Sequence, residues 1–137
     1  MGWFSPAETF ATPISAPEPV THTPLDETAL ARLRELDPDG RHGVLQRVLT
    51  AFETSLTRSL GQLLDPQASA DAKTVAALAH TLKSSSASVG ALALSAACAQ
   101  VEGRLRGGQT AQLRDDVDLL RAHAQAALAT VGAMLRP

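Results

Sequence analysis

The sequence predicts an all-α fold, an antiparallel four-helix bundle with an additional short N-terminal helix that caps it. Leu and Ala supply most of the apolar residues, whereas the chain has only three Phe, one Trp and no Tyr. Such a composition favours helices over sheets. From residue 25 onward, apolar residues recur at spacings of three and four, which is the period of a helix. The period-two alternation of a half-buried strand does not occur in the sequence.

The first two predicted helices are separated by turn-forming residues. A short helix should begin after an N-cap at Asp26 or Thr28 and end at the turn residues 37–40. A second, longer helix should carry the apolar stripe over residues 44–64. The pair Asp65-Pro66 is expected to stop it, because proline cannot continue a helix.

Three further helices follow in the second half of the chain. The next helix is expected to begin near Ser69 or Asp71 and to end at Gly90, a residue type that favours helix C-termini. Another should end at Gly107-Gly108, and the last should start near Thr110. Four long helices with short connections predict an antiparallel bundle.

The first 24 residues differ from the rest and predict a separate, Pro-rich tail or linker. They hold five of the eight prolines and neither Lys nor Arg. They also hold three of the four bulky aromatics, Trp3, Phe4 and Phe10. These aromatics are either incidental in a solvated tail or part of a docking segment that folds back onto the domain or onto a partner. Residues 25–137 form the predicted bundle domain.

Composition argues against several classes of protein. A net charge of -2 gives no support to nucleic-acid binding. The single cysteine, Cys98, rules out an internal disulfide and fits a reducing compartment. No apolar run approaches the roughly 20 residues that span a bilayer, and the N-terminus lacks secretory and myristoylation signals. We therefore expect a cytoplasmic protein that binds neither membrane nor nucleic acid.

One helical face carries a histidine and a lysine on a surface otherwise cleared of bulk. His80 and Lys83 are three residues apart and therefore neighbours on that face. A core-facing stripe would carry Leu or Ile where this face has small residues. We expect a surface that another macromolecule can approach. The predicted docking residues are Ala76, Ala77, Ser84, Ala87 and Gly90.

This segment and the helix after it resemble the signature of the histidine-containing phosphotransfer (HPt) family. The resemblance implies a four-helix bundle whose exposed histidine accepts a phosphoryl group from an aspartyl phosphate of a receiver domain. The histidine then passes the group to a second receiver domain. One departure is Ser84, where the family usually has Gly. The matching residues are Ala79, His80, Thr81, Leu82, Lys83, Gly90, Ala91, Leu94, Cys98 and Glu102.

The resemblance also assigns roles to individual residues. His80 would accept the phosphoryl group, and Lys83 would offer an ammonium to the phosphoryl oxygens. Glu102 would orient the ring by accepting a hydrogen bond from its other nitrogen, and Arg106 would add a positive charge nearby. The alternative for Glu102 and Arg106 is an ordinary exposed ion pair at i, i+4.

The implied partners are receiver domains of a hybrid sensor kinase or of response regulators. No cofactor is expected on this chain, which we expect to be monomeric, and Mg²⁺ is expected in the receiver. No ATP-binding glycine pattern is present, so the chain should carry phosphoryl groups without acting as a kinase. No metal site is expected, since no histidine stands at ligand spacing to Cys98.

Two other functions are compatible with parts of this sequence. A helical adaptor or dimerisation module would need no histidine chemistry. A hydrolase using His80 with Ser84 or Ser86 would need a pocket and an oxyanion hole. The sequence shows no Gly-rich turn near these serines that could form them.

Overall fold

The computed structural model describes residues 25–137, so the predicted tail 1–24, with Trp3, Phe4 and Phe10, lies outside the described residues. The described part contains six helices and no strand, which confirms the all-α prediction. We number the helices in chain order. They are α1 (Glu27–Glu35), α2 (Val44–Leu64), α3 (Pro66–Ser69), α4 (Ala72–Ser88), α5 (Leu92–Arg106) and α6 (Leu113–Leu135).

Three helices begin with an aspartate that caps a free backbone N–H group. The side chains of Asp26, Asp65 and Asp71 accept hydrogen bonds from the residue three positions later at the starts of α1, α3 and α4. Helix α3 was not predicted. It is a single turn with Pro66 in its first turn, so the residues that end α2 also start another helix.

The four long helices close into a ring around one core. Helix α4 packs against α5, α5 against α6, α6 against α2, and α2 against α4, while α1 packs on α2. The short connections 89–91 and 107–112 make α4, α5 and α6 run alternately up and down. The predicted four-helix bundle with a capping helix is confirmed. The largest fully buried side chains include Leu56, Leu63, Leu82, Leu94 and Leu120.

The turn between α4 and α5 contacts the residues that precede α1. Gly90 ends α4 with φ +82 and accepts a 2.8 Å hydrogen bond from the backbone N–H of Asp26. A Cβ atom at this position would lie 2.6 Å from the same Asp26 nitrogen. Gly90 therefore lets the chain entering α1 cross directly over the α4–α5 turn.

Within residues 25–137, no helix is long and apolar enough to cross a membrane.

Candidate functional site

Helices α4 and α5 lie side by side and bring His80 next to Glu102. The Nδ1 atom of His80 lies 2.8 Å from Oε2 of Glu102. The histidine side chain is 61% exposed, whereas the glutamate side chain is only 10% exposed. An exposed ring is thus anchored through one of its two nitrogens to a carboxylate beneath it.

Glu102 also binds the two neighbouring cations. Lys83 donates from Nζ to Oε1 at 2.7 Å, and Arg106 donates from Nε to Oε2 at 2.8 Å. One carboxylate therefore joins the three other predicted site residues, and its Oε2 atom is shared by His80 and Arg106. The predicted i, i+4 ion pair with Arg106 is formed, but Glu102 is buried and also binds residues of the neighbouring helix.

The charge around Glu102 determines which ring nitrogen is free. Hydrogen bonds from Lys83, and then from Arg106 and His80, lower the pKa of Glu102 to about 2 against the opposing effect of desolvation. The carboxylate is ionised at neutral pH and can only accept hydrogen bonds. The neutral ring of His80 must therefore carry its proton on Nδ1. Its Nε2 atom keeps an unprotonated lone pair, so it is the nucleophilic nitrogen.

A residue that the sequence did not single out also tethers the two helices. Ser95 of α5 donates from Oγ to the backbone carbonyl of Lys83 at 2.9 Å. Its position seven residues before Glu102 places it on the same face of α5, two turns earlier. That spacing is the signal that could have identified it, once Glu102 was assigned to the face toward α4.

The structure divides the five predicted docking residues into two groups. Ala77, Ser84 and Ala87 are exposed on α4, whereas Ala76 and Gly90 are buried. Burial leaves Ala76 and Gly90 little surface to offer a partner, and the docking role of all five residues stays a prediction. A helical side chain extends over the turn that precedes its own Cα. The ring of His80 therefore extends toward Ala76, one turn earlier on α4. Gly90 lies beneath the Asp26 backbone.

Cys98 lies one turn before Glu102 but takes no part in the site. It is buried, and burial raises the pKa of its thiol to about 12, with the Glu102 charge acting in the same direction. The thiol is therefore protonated and unreactive at neutral pH. Among residues 25–137, no group of three His, Cys, Asp or Glu side chains is placed to hold a metal ion.

The fold and the site define a helical bundle that presents a single anchored histidine, with two cations beside it. The Hpt domain family profile matches residues 45–130, more than half of the chain, a stretch that includes all four predicted site residues. The chain therefore belongs to the Hpt domain family. This membership supports a phosphotransfer role in a phosphorelay, and the members of this family are phosphocarrier proteins.

A solved structure shares the fold. The chain is similar to histidine-containing phosphotransfer protein B (HptB) from Pseudomonas aeruginosa, with a TM-score of 0.68 and 21% sequence identity. The match covers 82% of this chain and 94% of that one, so the likeness extends over nearly the whole described bundle. A comparison with curated protein sequences gave no match.

Proposed function

We propose that this chain is a phosphorelay intermediate. His80 accepts a phosphoryl group from the aspartyl phosphate of one receiver domain and passes it to the aspartate of another. The observation that carries the proposal is the anchored ring. Nδ1 is bound to the ionised Glu102, which leaves Nε2 exposed and nucleophilic.

The proposed transfer needs no proton to leave the site. The Nε2 lone pair attacks phosphorus, and the bond from phosphorus to the aspartate oxygen breaks, with its electrons returning to the aspartate as a carboxylate. The ring becomes positively charged and keeps its proton on Nδ1. The hydrogen bond to Glu102 stabilises that positive charge, and transfer to the second receiver reverses the steps.

Lys83 is the proposed source of charge stabilisation for the moving phosphoryl group. It lies one turn from His80, and its side chain is 38% exposed, so the ammonium can reach the phosphoryl oxygens without unfolding the helix. Phosphoryl transfer depends mainly on positioning and on neutralising the oxygens. A flexible lysine beside the acceptor nitrogen supplies the second of these.

The exposed small residues next to His80 are the proposed docking surface for the receiver. Ala77, Ser84 and Ala87 leave space on α4 for a receiver active site to approach Nε2. That receiver, not this chain, would bring the aspartate and Mg²⁺.

We propose further that the protein acts as a monomer in the cytoplasm, without kinase activity of its own. Its one free cysteine fits a reducing compartment.

Phosphotransfer from labelled receiver domains tests the proposal. The wild-type chain should acquire a phosphoryl group that is stable in alkali and labile in acid, whereas His80→Gln should acquire none. His42→Gln is the matched control, because His42 is an exposed histidine outside the site. Equal labelling of His80→Gln would place the phosphoryl group on another residue and contradict the role of His80. No labelling of the wild type by any receiver of the source organism would instead favour the helical adaptor or dimerisation module.

A further inference from the structure

Both cations of the site are already bound to a carboxylate before any phosphoryl group is present. Lys83 occupies Oε1 of Glu102, and Arg106 occupies Oε2. With a neutral ring on His80, these groups leave the site with one positive charge in excess. The site is therefore incompletely neutralised in its unphosphorylated state, and it can accept additional negative charge.

The two donors on Oε2 share one oxygen, which has a lone pair for each. The Nδ1 atom of His80 and the Nε atom of Arg106 each lie 2.8 Å from it. Phosphorylation at Nε2 makes the ring cationic, and a charged donor binds a carboxylate more strongly than a neutral one. The same event places a doubly charged phosphoryl group on the exposed side of the ring. Both changes favour the release of Arg106 from Glu102.

Arg106 can leave Glu102 more easily than Arg104 can leave its own partner. The Arg106 side chain is 57% exposed and binds Glu102 through Nε. A guanidinium has five N–H donors, and their forked arrangement suits phosphoryl oxygens. Arg104, in contrast, donates from both Nε and Nη2 to Asp116, whose side chain is 3% exposed. Arg104 makes two hydrogen bonds to a buried carboxylate, whereas the more exposed Arg106 makes one hydrogen bond to Glu102.

We propose that Arg106 is a positioning residue that exchanges acceptors when His80 is phosphorylated. It donates to Glu102 in the free protein and to the phosphoryl oxygens in the phosphorylated protein, leaving Oε2 to the Nδ1–H group of the ring. Lys83 is its neighbour in this second arrangement. The exchange prolongs the life of the phosphohistidine between its two transfers. This inference rests on the proposed function of His80 as the phosphoryl acceptor.

Chemical phosphorylation of the full chain tests the exchange without a receiver. Phosphoramidate transfers its phosphoryl group to the Nε2 atom of a histidine with loss of ammonia, and His80→Gln shows whether the label is on His80. The ¹H–¹⁵N resonance of Arg106 Nε should shift on labelling at pH 8, where phosphohistidine is stable. An arginine that serves only as a structural ion pair for Glu102 would give the same resonance before and after.

The life of the phosphohistidine provides the second measurement. Arg106→Gln should hydrolyse about threefold faster than the wild type, the change expected when a partly exposed charged hydrogen bond is lost. Arg106→Lys should restore part of the difference. Arg58→Gln removes the same charge from an exposed position on α2 and should leave the rate unchanged. Circular dichroism of each variant verifies that the helices remain.

The outcomes separate this inference from the proposed function. A fixed Arg106 resonance together with equal hydrolysis of Arg106→Gln and Arg58→Gln overturns the exchange, even if receivers label His80. Labelling by phosphoramidate but by no receiver overturns the relay, while the exchange is still decided by the resonance and the hydrolysis rate. If neither donor labels His80, both proposals are wrong.

Discussion

At the scale of single residues, the site depends on the carboxylate of Glu102. Its two oxygens accept hydrogen bonds from a histidine, a lysine and an arginine, and the glutamate is the buried member of the group. The resemblance to a family predicted that Glu102 orients His80. The sequence offered the i, i+4 pair of Glu102 with Arg106 as an alternative. It did not show that the same carboxylate also binds Lys83, because hydrogen-bond partners on two helices depend on how the helices are rotated against each other.

Glu102 should titrate at an unusually low pH. Because its pKa is lowered in the folded protein to about 2, its ionic contacts stabilise the fold above the ordinary value of 4.5 and are lost as the pH falls from there toward 2. Carboxyl ¹³C NMR of the folded protein should give a midpoint near 2. Lys83→Met removes the largest cause and should raise that midpoint. A wild-type midpoint at the ordinary value would show that the three contacts are not formed in solution.

Ser84 sets how closely a receiver can approach His80. We expect Ser84→Leu to slow phosphotransfer from a receiver at least tenfold, because a bulky side chain on the exposed face of α4 blocks close contact, and a tenfold effect corresponds to about 1.4 kcal/mol. Helix content by circular dichroism should not change. Thr57→Leu, on the exposed side of α2, is the matched control, since the Thr57 hydroxyl bonds only to its own helix. Unimpaired transfer to Ser84→Leu would remove the docking role from this surface.

At the scale of elements, the α4–α5 hairpin positions every residue of the site. The helix ends were largely predictable, because caps and breakers act locally: Asp71 starts α4, and Gly90 ends it. The single turn α3 was not predictable from periodicity, since four residues are too few to show a helical repeat. The local pattern also assigned Gly90 to a docking surface, although another segment of the chain covers it.

Two glycine substitutions should have opposite effects on stability. Gly90→Ala combines a left-handed backbone with a Cβ 2.6 Å from the Asp26 nitrogen, so we expect a loss of at least about 2 kcal/mol in the free energy of unfolding. Gly61→Ala lies within α2 with nothing within 4 Å of its Cβ and should gain about 0.5–1 kcal/mol. Urea denaturation measures both. Equal effects of the two substitutions would contradict the close contact between the Asp26 backbone and Gly90.

At the scale of the whole molecule, the ring of four helices supports the α4–α5 hairpin that carries the site. Helix α6 packs against both α5 and α2, so the hairpin that carries the site is held from two sides by one continuous core. Composition and periodicity predicted this architecture, because helices with one apolar face and short connections have few other ways to bury that face. The division of the chain at residue 24 stays a prediction.

Deleting residues 1–24 tests that division. Leu25 is buried and Asp26 is hydrogen-bonded to Gly90, so residues 25 and 26 already pack against the bundle. We expect the shortened chain to melt within about 3 °C of the full chain, which for a domain of this size corresponds to less than about 1 kcal/mol. A further deletion through Asp26 should lower the melting temperature clearly. A large drop on removing residues 1–24 alone would show that the tail packs on the domain.

The sequence by itself determined five of the six described helices, their order and the face that carries His80 and Lys83, because helical periodicity and end signals act over a few neighbouring residues. Only the tertiary structure decided which small residues of that face are exposed and which groups meet at Glu102. Ala76 is buried four residues from an exposed His80, and Ser95 binds the backbone beside Lys83. Both facts depend on the register and rotation of α5 against α4, which are set by packing of the whole core and not by any local pattern.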